Sequence, residues 1–235
     1  MDTERLEKNY RRVLDRAMAA AERAHRPRES WRLVAVTKEV GDEAAAALYE
    51  LGAAELGENR VKELLRKREA LSELNVRWHM IGHLQRRKAR DIVGIVELIH
   101  SVDSPRLARE IEKRAANAGA AQKVLLEVNV SGEESKYGLT APGAYDLARE
   151  MQDYRYTRPA GLMTMAPIVE DAGQTRPIFR NLRELGERLA DEGLFAGPEF
   201  ELSMGMTQDF EVAIEEGATI IRVGSAIFEG VEDER

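Results

Sequence analysis

Apolar positions along this chain follow two different periods. Over residues 2–25, Leu6, Tyr10, Val13, Leu14, Ala17 and Ala21 recur at helical spacing among charged residues. That pattern predicts an amphipathic helix, which Pro27 stops. Beyond it, short apolar runs alternate with stretches of helix formers. The runs Leu33–Thr37, Glu55–Gly57, His79–Gly82, Leu98–Val102, Val124–Val130, Ala160–Met163, Glu201–Met204 and Ile220–Val223 fit strands. Helical patterning follows at Glu43–Leu51, Val61–Leu74, Pro105–Ala118, Pro177–Glu192 and Phe210–Glu216. The first and last runs, LVAVT and IIRVG, are almost continuously apolar, as strands covered on both faces must be. The second, AELGE, is weak by itself and rests on its place in the rhythm.

Alternating strands and helices imply a parallel sheet with helical crossovers. Eight repeats favour closure into a (β/α)₈ TIM barrel. The rival is a doubly wound open sheet. Such a sheet often carries a glycine-rich turn after its first strand, where this chain has Lys38-Glu39-Val40. A length of 235 residues suits one barrel. With no Pro/Gly/Ser-rich linker, residues 1–235 are expected to form a single domain, with an N-terminal helix in 1–28 and the barrel in 33–230. The longest unassigned stretch, Thr164–Thr175, falls after the sixth strand, where a barrel places an active-face loop.

Composition removes several functions. The formal net charge is −7, so a nucleic-acid binder with a broad basic face is not expected. The basic run Arg86-Arg87-Lys88 reads as a solvated helix face. Without cysteine there is no disulfide, thiolate zinc site or cysteine nucleophile, and the four histidines form no HExxH motif. Met1–Arg28 lacks the apolar core of a signal peptide, and no apolar run is long enough to span a bilayer. A cytoplasmic monomer without a membrane partner is the expectation.

A barrel carries its reactive residues at the C-terminal ends of its strands. That rule selects Lys38 after the first run, Glu58-Asn59-Arg60 after the second, Gly82-His83 after the third and Asn129 after the fifth. It also selects Met163-Thr164-Met165, Ser203–Thr207 and Arg222–Ser225. A lysine desolvated at a strand end has a lowered pKa and attacks aldehydes as the free amine. It equally fits a side chain that reaches solvent or pairs with a carboxylate such as Glu58. Ser203, Gly205 and Thr207, with Gly224 and Ser225, resemble a phosphate cup of hydroxyls and close-approach backbone at adjacent strand ends. Ordinary turn chemistry, with Thr207 as an N-cap, fits the same residues. Arg222 lies in an apolar strand, so its charge needs an acceptor, either a structural ion-pair partner or a ligand ring nitrogen. Barrel closure sets the eighth strand beside the first. An amine would then face a phosphate cup across one small ring, a spacing that suits pyridoxal phosphate.

At these residues the sequence resembles the pyridoxal phosphate homeostasis proteins, the YggS/PROSC family, relatives of the alanine racemase N-terminal barrel domain. The resemblance runs from Leu33 to Gly230. It rests on AVTK ending in Lys38, Gly57-Glu58-Asn59-Arg60, WHMIGHLQ from Trp78 to Gln85, and Ser135–Leu139. It continues in GLMTM at Gly161–Met165, LSMGMTQD at Leu202–Asp209 and RVGSAIF at Arg222–Phe228. It implies a Schiff base between pyridoxal 5′-phosphate and Lys38. Ser203, Gly205, Thr207, Gly224 and Ser225 would hold the phosphate, Arg222 would face the pyridine nitrogen, and Asn59 would lie near the ring. His79 and Met165 would be pocket wall. Gly41, Arg87 and Glu229 depart from the family pattern, the last two at what would be the pocket rim, while Thr207 and Ser225 exchange one hydroxyl residue for another.

The resemblance implies a role in cofactor homeostasis, buffering pyridoxal phosphate or delivering it to apoenzymes, without a reaction of its own. An arginine at the ring nitrogen weakens the ring as an electron sink. Racemisation also needs an acid–base group on each face of the substrate α-carbon. Since the chain ends at Arg235, no second domain is expected to supply the second group. The alternative is a low-activity amino-acid racemase using a resident tyrosine such as Tyr137. A phosphosugar isomerase barrel is a more distant third.

Overall fold

The computed structural model describes residues 1–132, 137–197 and 199–231. Ser135 and Lys136 of the fourth motif lie outside the described residues. Eight parallel strands close into a barrel in chain order, with β8 paired to β1. They are β1 Arg32–Val36, β2 Glu55–Glu58, β3 Arg77–Met80, β4 Leu98–Val102, β5 Gln122–Glu127, β6 Thr157–Met163, β7 Glu201–Ser203 and β8 Ile220–Val223. Closure excludes the open doubly wound sheet.

Alternation along each strand sorts side chains between two cores. Outward residues such as Ala35, Leu56, Ile99, Leu126, Leu162, Ile221 and Val223 pack with the helices. Inside, Val34, Leu98, Leu125, Met163 and Ile220 form a separate apolar cluster. Glu55, His79, His100, Glu127, Ser203 and Arg222 are also buried, two residues along their strands from inward positions or opposite them in the register. The barrel interior is therefore strongly polar.

The outer ring comprises α2 Asp42–Glu50, α3 Val61–Ala70, α4 Pro105–Ala118, α5 Ala141–Glu150, α6 Arg176–Asp191 and α7 Phe210–Glu215. Two parts depart from the sequence expectation. After β3 the chain makes a 3₁₀ segment, Arg86–Asp91, where Arg86 and Arg87 sit exposed and Lys88 half-buried, rather than on an α-helix. After β5, Val128 bridges to Leu139 instead of extending the strand to Val130. Helix α8, Ser225–Phe228, is a single turn, and the N-terminal helix α1, Thr3–Arg23, packs against it and against α7. Leu6, Val13, Ala17 and Ala20 are fully buried on its inner face. Helix α1 ends before Pro27, where His25 takes φ 54°.

Polar contacts tie α1 to the end of the barrel. Buried Asn9 donates to the carbonyls of Ile227 (3.1 Å) and Glu229 (2.9 Å). Arg12 pairs with Glu229 at 3.0 Å. The side chain of Glu229 is thus engaged by α1. Because Asn9 is 5% exposed, its loss strands the carbonyl of buried Ile227, whereas Glu229 O keeps its bond from Arg5 Nε at 3.1 Å. Asn9→Ala is expected to cost about 1–3 kcal/mol in denaturant unfolding, through the β8–α8 segment.

Candidate cofactor site

The loops after β7 and β8 meet at the C-terminal mouth. Gly205 has φ +93°, and a Cβ there would stand 2.6 Å from Ala213 Cβ, so only glycine lets the loop lie against α7. The loop is pinned by Asp209, whose Oδ1 accepts from Met206 N at 2.6 Å, and by Gly205 O, which accepts from Arg222 N at 3.0 Å. Asp209 is itself the residue preceding α7, so Thr207 is not its N-cap. Thr207 Oγ1 instead accepts from Ser225 Oγ at 3.0 Å, joining the two loops at an exposed position. At Gly224 a Cβ would stand 2.8 Å from Val36 O, so the β8 loop rests directly on the end of β1. Since Val34 and Ala35 are in register with Arg222 and Val223, Lys38 follows on beside this loop. On its other side, Asn59 is half-buried after β2, its backbone touching Gly82.

Lys38 is not a desolvated strand-end amine. Its side chain is 44% exposed, and its ion-pair contact is with Glu39 at 3.8 Å. The carboxylate considered for it, Glu58, is taken by another lysine. Lys67 on α3 is 2% exposed and places Nζ 2.6 Å from Glu58 Oε1. It also donates to Thr37 O, the carbonyl just before Lys38, at 2.5 Å. Thr37 Oγ1 donates to the same Glu58 oxygen at 2.7 Å. The buried ion pair therefore anchors the backbone from which Lys38 projects. Lys67 reads from sequence as one more charge on a polar helix, and nothing in that pattern marks it.

Arg222 is buried beneath this mouth. It donates from Nη1 to Ser203 Oγ at 2.6 Å and from Nη2 to Thr164 O at 2.9 Å. Burial lowers its pKa to about 10, with the charges of Asp209 and Glu127 opposing the shift, so the guanidinium is still a cation at neutral pH. Burial pushes Glu127 at the end of β5 up to about 7, with Asp103 adding to the rise and Arg222 opposing it. The Ser203 hydroxyl faces inward, 2.8 Å from His100 Nδ1, and is fully buried. It belongs with Arg222 rather than with the rim hydroxyls of Thr207 and Ser225. His79 is likewise enclosed, with Nδ1 3.0 Å from His100 Nε2, so it lies in the barrel interior rather than lining the mouth. Met165 is 43% exposed.

Two clefts open elsewhere. One of about 230 Å³ lies between α5 and α6 beside Asn129. The other, about 210 Å³, includes His83, Asp103, Arg86 and Arg106. Neither takes in Lys38, Thr207 or Ser225. Tyr137 stacks on His83 with ring centroids 4.4 Å apart, and His83 Nδ1 lies 3.1 Å from Asp103.

Comparison with known proteins meets the same arrangement. The family model described as alanine racemase, N-terminal domain, matches residues 1–231. The pyridoxal phosphate homeostasis protein of Aquifex aeolicus is 46% identical over 217 residues, covering 92% of this chain and 94% of that protein. This chain is a member of the pyridoxal phosphate homeostasis protein family. The human member is 34% identical over 87% of this chain and 80% of its own length. Among solved structures, an unknown protein from Bifidobacterium adolescentis superimposes with TM-score 0.91 at 38% identity, covering 96% of this chain and 95% of its own. PipY of Synechococcus elongatus, solved with PLP bound, gives TM-score 0.80 at 32% identity over 92% of this chain and 99% of its own. The barrel of the larger Clostridium difficile alanine racemase shares the fold at TM-score 0.72, with 14% identity over 92% of this chain and 58% of that one.

Proposed function

We propose that this family member binds pyridoxal 5′-phosphate at the C-terminal mouth, with Lys38 as the Schiff-base lysine, and works as a cytoplasmic carrier supplying PLP-dependent apoenzymes. The observation that carries the proposal is the Thr207–Ser225 hydroxyl pair on glycine-bearing loops beside Lys38. The donor set suits the group. The rim hydroxyls and the backbone around Gly205 and Gly224 are neutral donors of the kind that cradle phosphate. A guanidinium held between Ser203 and Thr164 lies below, where a ring would sit. Bound pyridoxal phosphate supplies an aldehyde that condenses reversibly with amines.

Each side chain then has one task. Thr207, Ser225 and the backbone of Gly205 and Gly224 hold the phosphate. Arg222, a donor only, directs N–H toward the ring nitrogen and opposes its protonation. Lys38, projecting from backbone pinned by Lys67, presents its amine to the aldehyde. Its 44% exposure suits release to another protein better than a sealed reaction chamber. Binding is tested with Ser225→Asp, which sets a carboxylate against a phosphate dianion. In equilibrium dialysis this variant is expected to bind PLP about 100-fold more weakly or worse. Affinity equal to that of the unaltered protein would place the cup elsewhere.

The non-catalytic half of the proposal has its own measurement. Arg222 remains cationic at neutral pH, which disfavours carbanion chemistry at the ring. Tyr137, the resident tyrosine considered for a second acid–base face, is instead stacked on His83. With alanine or serine in deuterated solvent, the purified protein is expected to show slow α-carbon exchange without inversion. Inversion at about once per second or faster would make it a racemase.

A further inference from the structure

Five of the polar groups inside the barrel are joined into one line across it. Arg222 Nη1 stands 2.6 Å from Ser203 Oγ, which stands 2.8 Å from His100 Nδ1. His100 Nε2 stands 3.0 Å from His79 Nδ1, and His79 Nε2 lies 3.3 Å from Glu55 Oε2. The last contact is a close approach that does not meet hydrogen-bond geometry. His79, His100 and Ser203 are fully buried, and Arg222 and Glu55 nearly so. Glu55 stands at the start of β2, where Arg32 (3.0 Å) and Arg77 (2.7 Å) also bind it. The line thus runs from beneath the candidate cofactor site to the opposite mouth.

We propose that His79 and His100 are positioning residues in a one-way hydrogen-bond relay, Arg222 to Ser203 to His100 to His79, with the outer N–H of His79 facing the Glu55 carboxylate, which locks the Arg222 guanidinium as a fixed donor under the cofactor ring. The claim about the ring rests on the PLP reading above. The relay itself does not.

Direction follows from counting hydrogens. A guanidinium can only donate, so Ser203 Oγ accepts from Arg222. The serine hydrogen must then go to His100 Nδ1, the other neighbour at bonding distance. A ring that accepts at Nδ1 carries its hydrogen on Nε2, which donates to His79 Nδ1. His79 in turn carries its hydrogen on Nε2, facing the Glu55 carboxylate. Each link from Arg222 to His79 is then satisfied, and the outer N–H of His79 faces Glu55, with a cation at one end of the line and an anion at the other. The opposite tautomers fail. His100 Nδ1–H would leave the serine hydrogen without this acceptor. A neutral His79 would then turn a bare Nε2 lone pair toward Glu55. A neutral His100 ring agrees with the first arrangement. Burial lowers the His100 pKa well below its ordinary value, with His79 and Arg222 adding to the fall. Burial alone would raise Glu55, but His79, Arg32 and Arg77 outweigh it and hold the carboxyl at about 2. Bonds aligned head to tail between fixed charges polarise one another, so the line is stiffer than its separate contacts.

Two-bond ¹H–¹⁵N correlation spectra of the cofactor-free protein read the tautomers directly. Both His79 and His100 are expected to show a protonated Nε2 and an unprotonated Nδ1. Nδ1–H on either ring, or a doubly protonated His79, would reverse the line and overturn the relay. A pair of variants then tests the action on Arg222. His100→Gln keeps one acceptor and one donor at the spacing of the ring nitrogens, whereas His100→Leu keeps neither. His100→Leu is expected to weaken PLP binding about tenfold and move the visible band of the bound cofactor, with His100→Gln restoring the band and staying within about threefold of the unaltered protein. Equal spectra for the two variants at matched melting temperature would reduce both histidines to structural parts and overturn the positioning claim. Correct tautomers in a protein that binds no PLP would instead defeat the cofactor reading and leave the relay standing.

Discussion

Borohydride reduction of the PLP-loaded protein is expected to fix the cofactor to one peptide, that containing Lys38, and Lys38→Ala is expected to abolish both the label and the visible absorbance. The expectation comes from position. Lys38 is half exposed and only loosely paired with Glu39. What distinguishes it from other exposed lysines is the β1–β8 register, which sets it beside Gly224 and Ser225. A phosphate held on the Thr207–Ser225 rim would bring an aldehyde within its reach and raise the local concentration of one partner for the other. Lys38→Ala leaves that rim intact, so weaker, non-covalent binding should survive and be visible by dialysis. Peptide mapping decides the matter, since a label on Lys88 or Lys136 would remove Lys38 from the site.

Lys67→Met is expected to destabilise the fold by about 3–5 kcal/mol, because it leaves an unpaired carboxylate in the protein interior. Glu58 is fully buried, and its Oε2 has no hydrogen-bond partner among the described residues. Without Lys67 its compensation shrinks to the Thr37 hydroxyl. Urea denaturation followed by circular dichroism measures the loss. The double variant Glu58→Gln/Lys67→Met removes both charges and should recover much of it, because the cost lies in the uncompensated ion more than in the absent bridge. Thr37 O would also lose its Lys67 donor, so the single variant should bind PLP more weakly even where it remains folded. Unchanged stability in Lys67→Met would mean that Glu58 takes up a proton at little cost.

The barrel was legible because its repeat is written in apolar spacing. Runs such as LVAVT and IIRVG are strands whatever their neighbours, and their alternation with helical patterns admits few topologies. The rim residues Gly205, Thr207, Gly224 and Ser225 could be placed from local sequence, since loops after barrel strands face one end. The inward turn of Ser203 was not legible. A serine at a strand end offers its hydroxyl either to a ligand or to the interior, and the choice falls to residues far along the chain, His100 and Arg222. The exposure of Lys38 is a similar case, because Lys67 occupies the only nearby interior carboxylate considered for it, Glu58.

The structure decided strand order and closure over the open doubly wound sheet, whereas sequence alone determined the strands, the N-terminal helix and the face on which the candidate cofactor residues gather. The latter follow from local periodicity and from the geometry of a parallel barrel. Tertiary structure alone decided which polar groups pair: Lys67 with Glu58, Asp209 with its own loop, and the interior line from Arg222 to Glu55. A hydrophobic pattern says only that a side chain is inside. Which hydrogen-bond partner a buried polar group finds there depends on register across strands that are distant in sequence. In this barrel that register brings β2, β3, β4, β7 and β8 onto a single line.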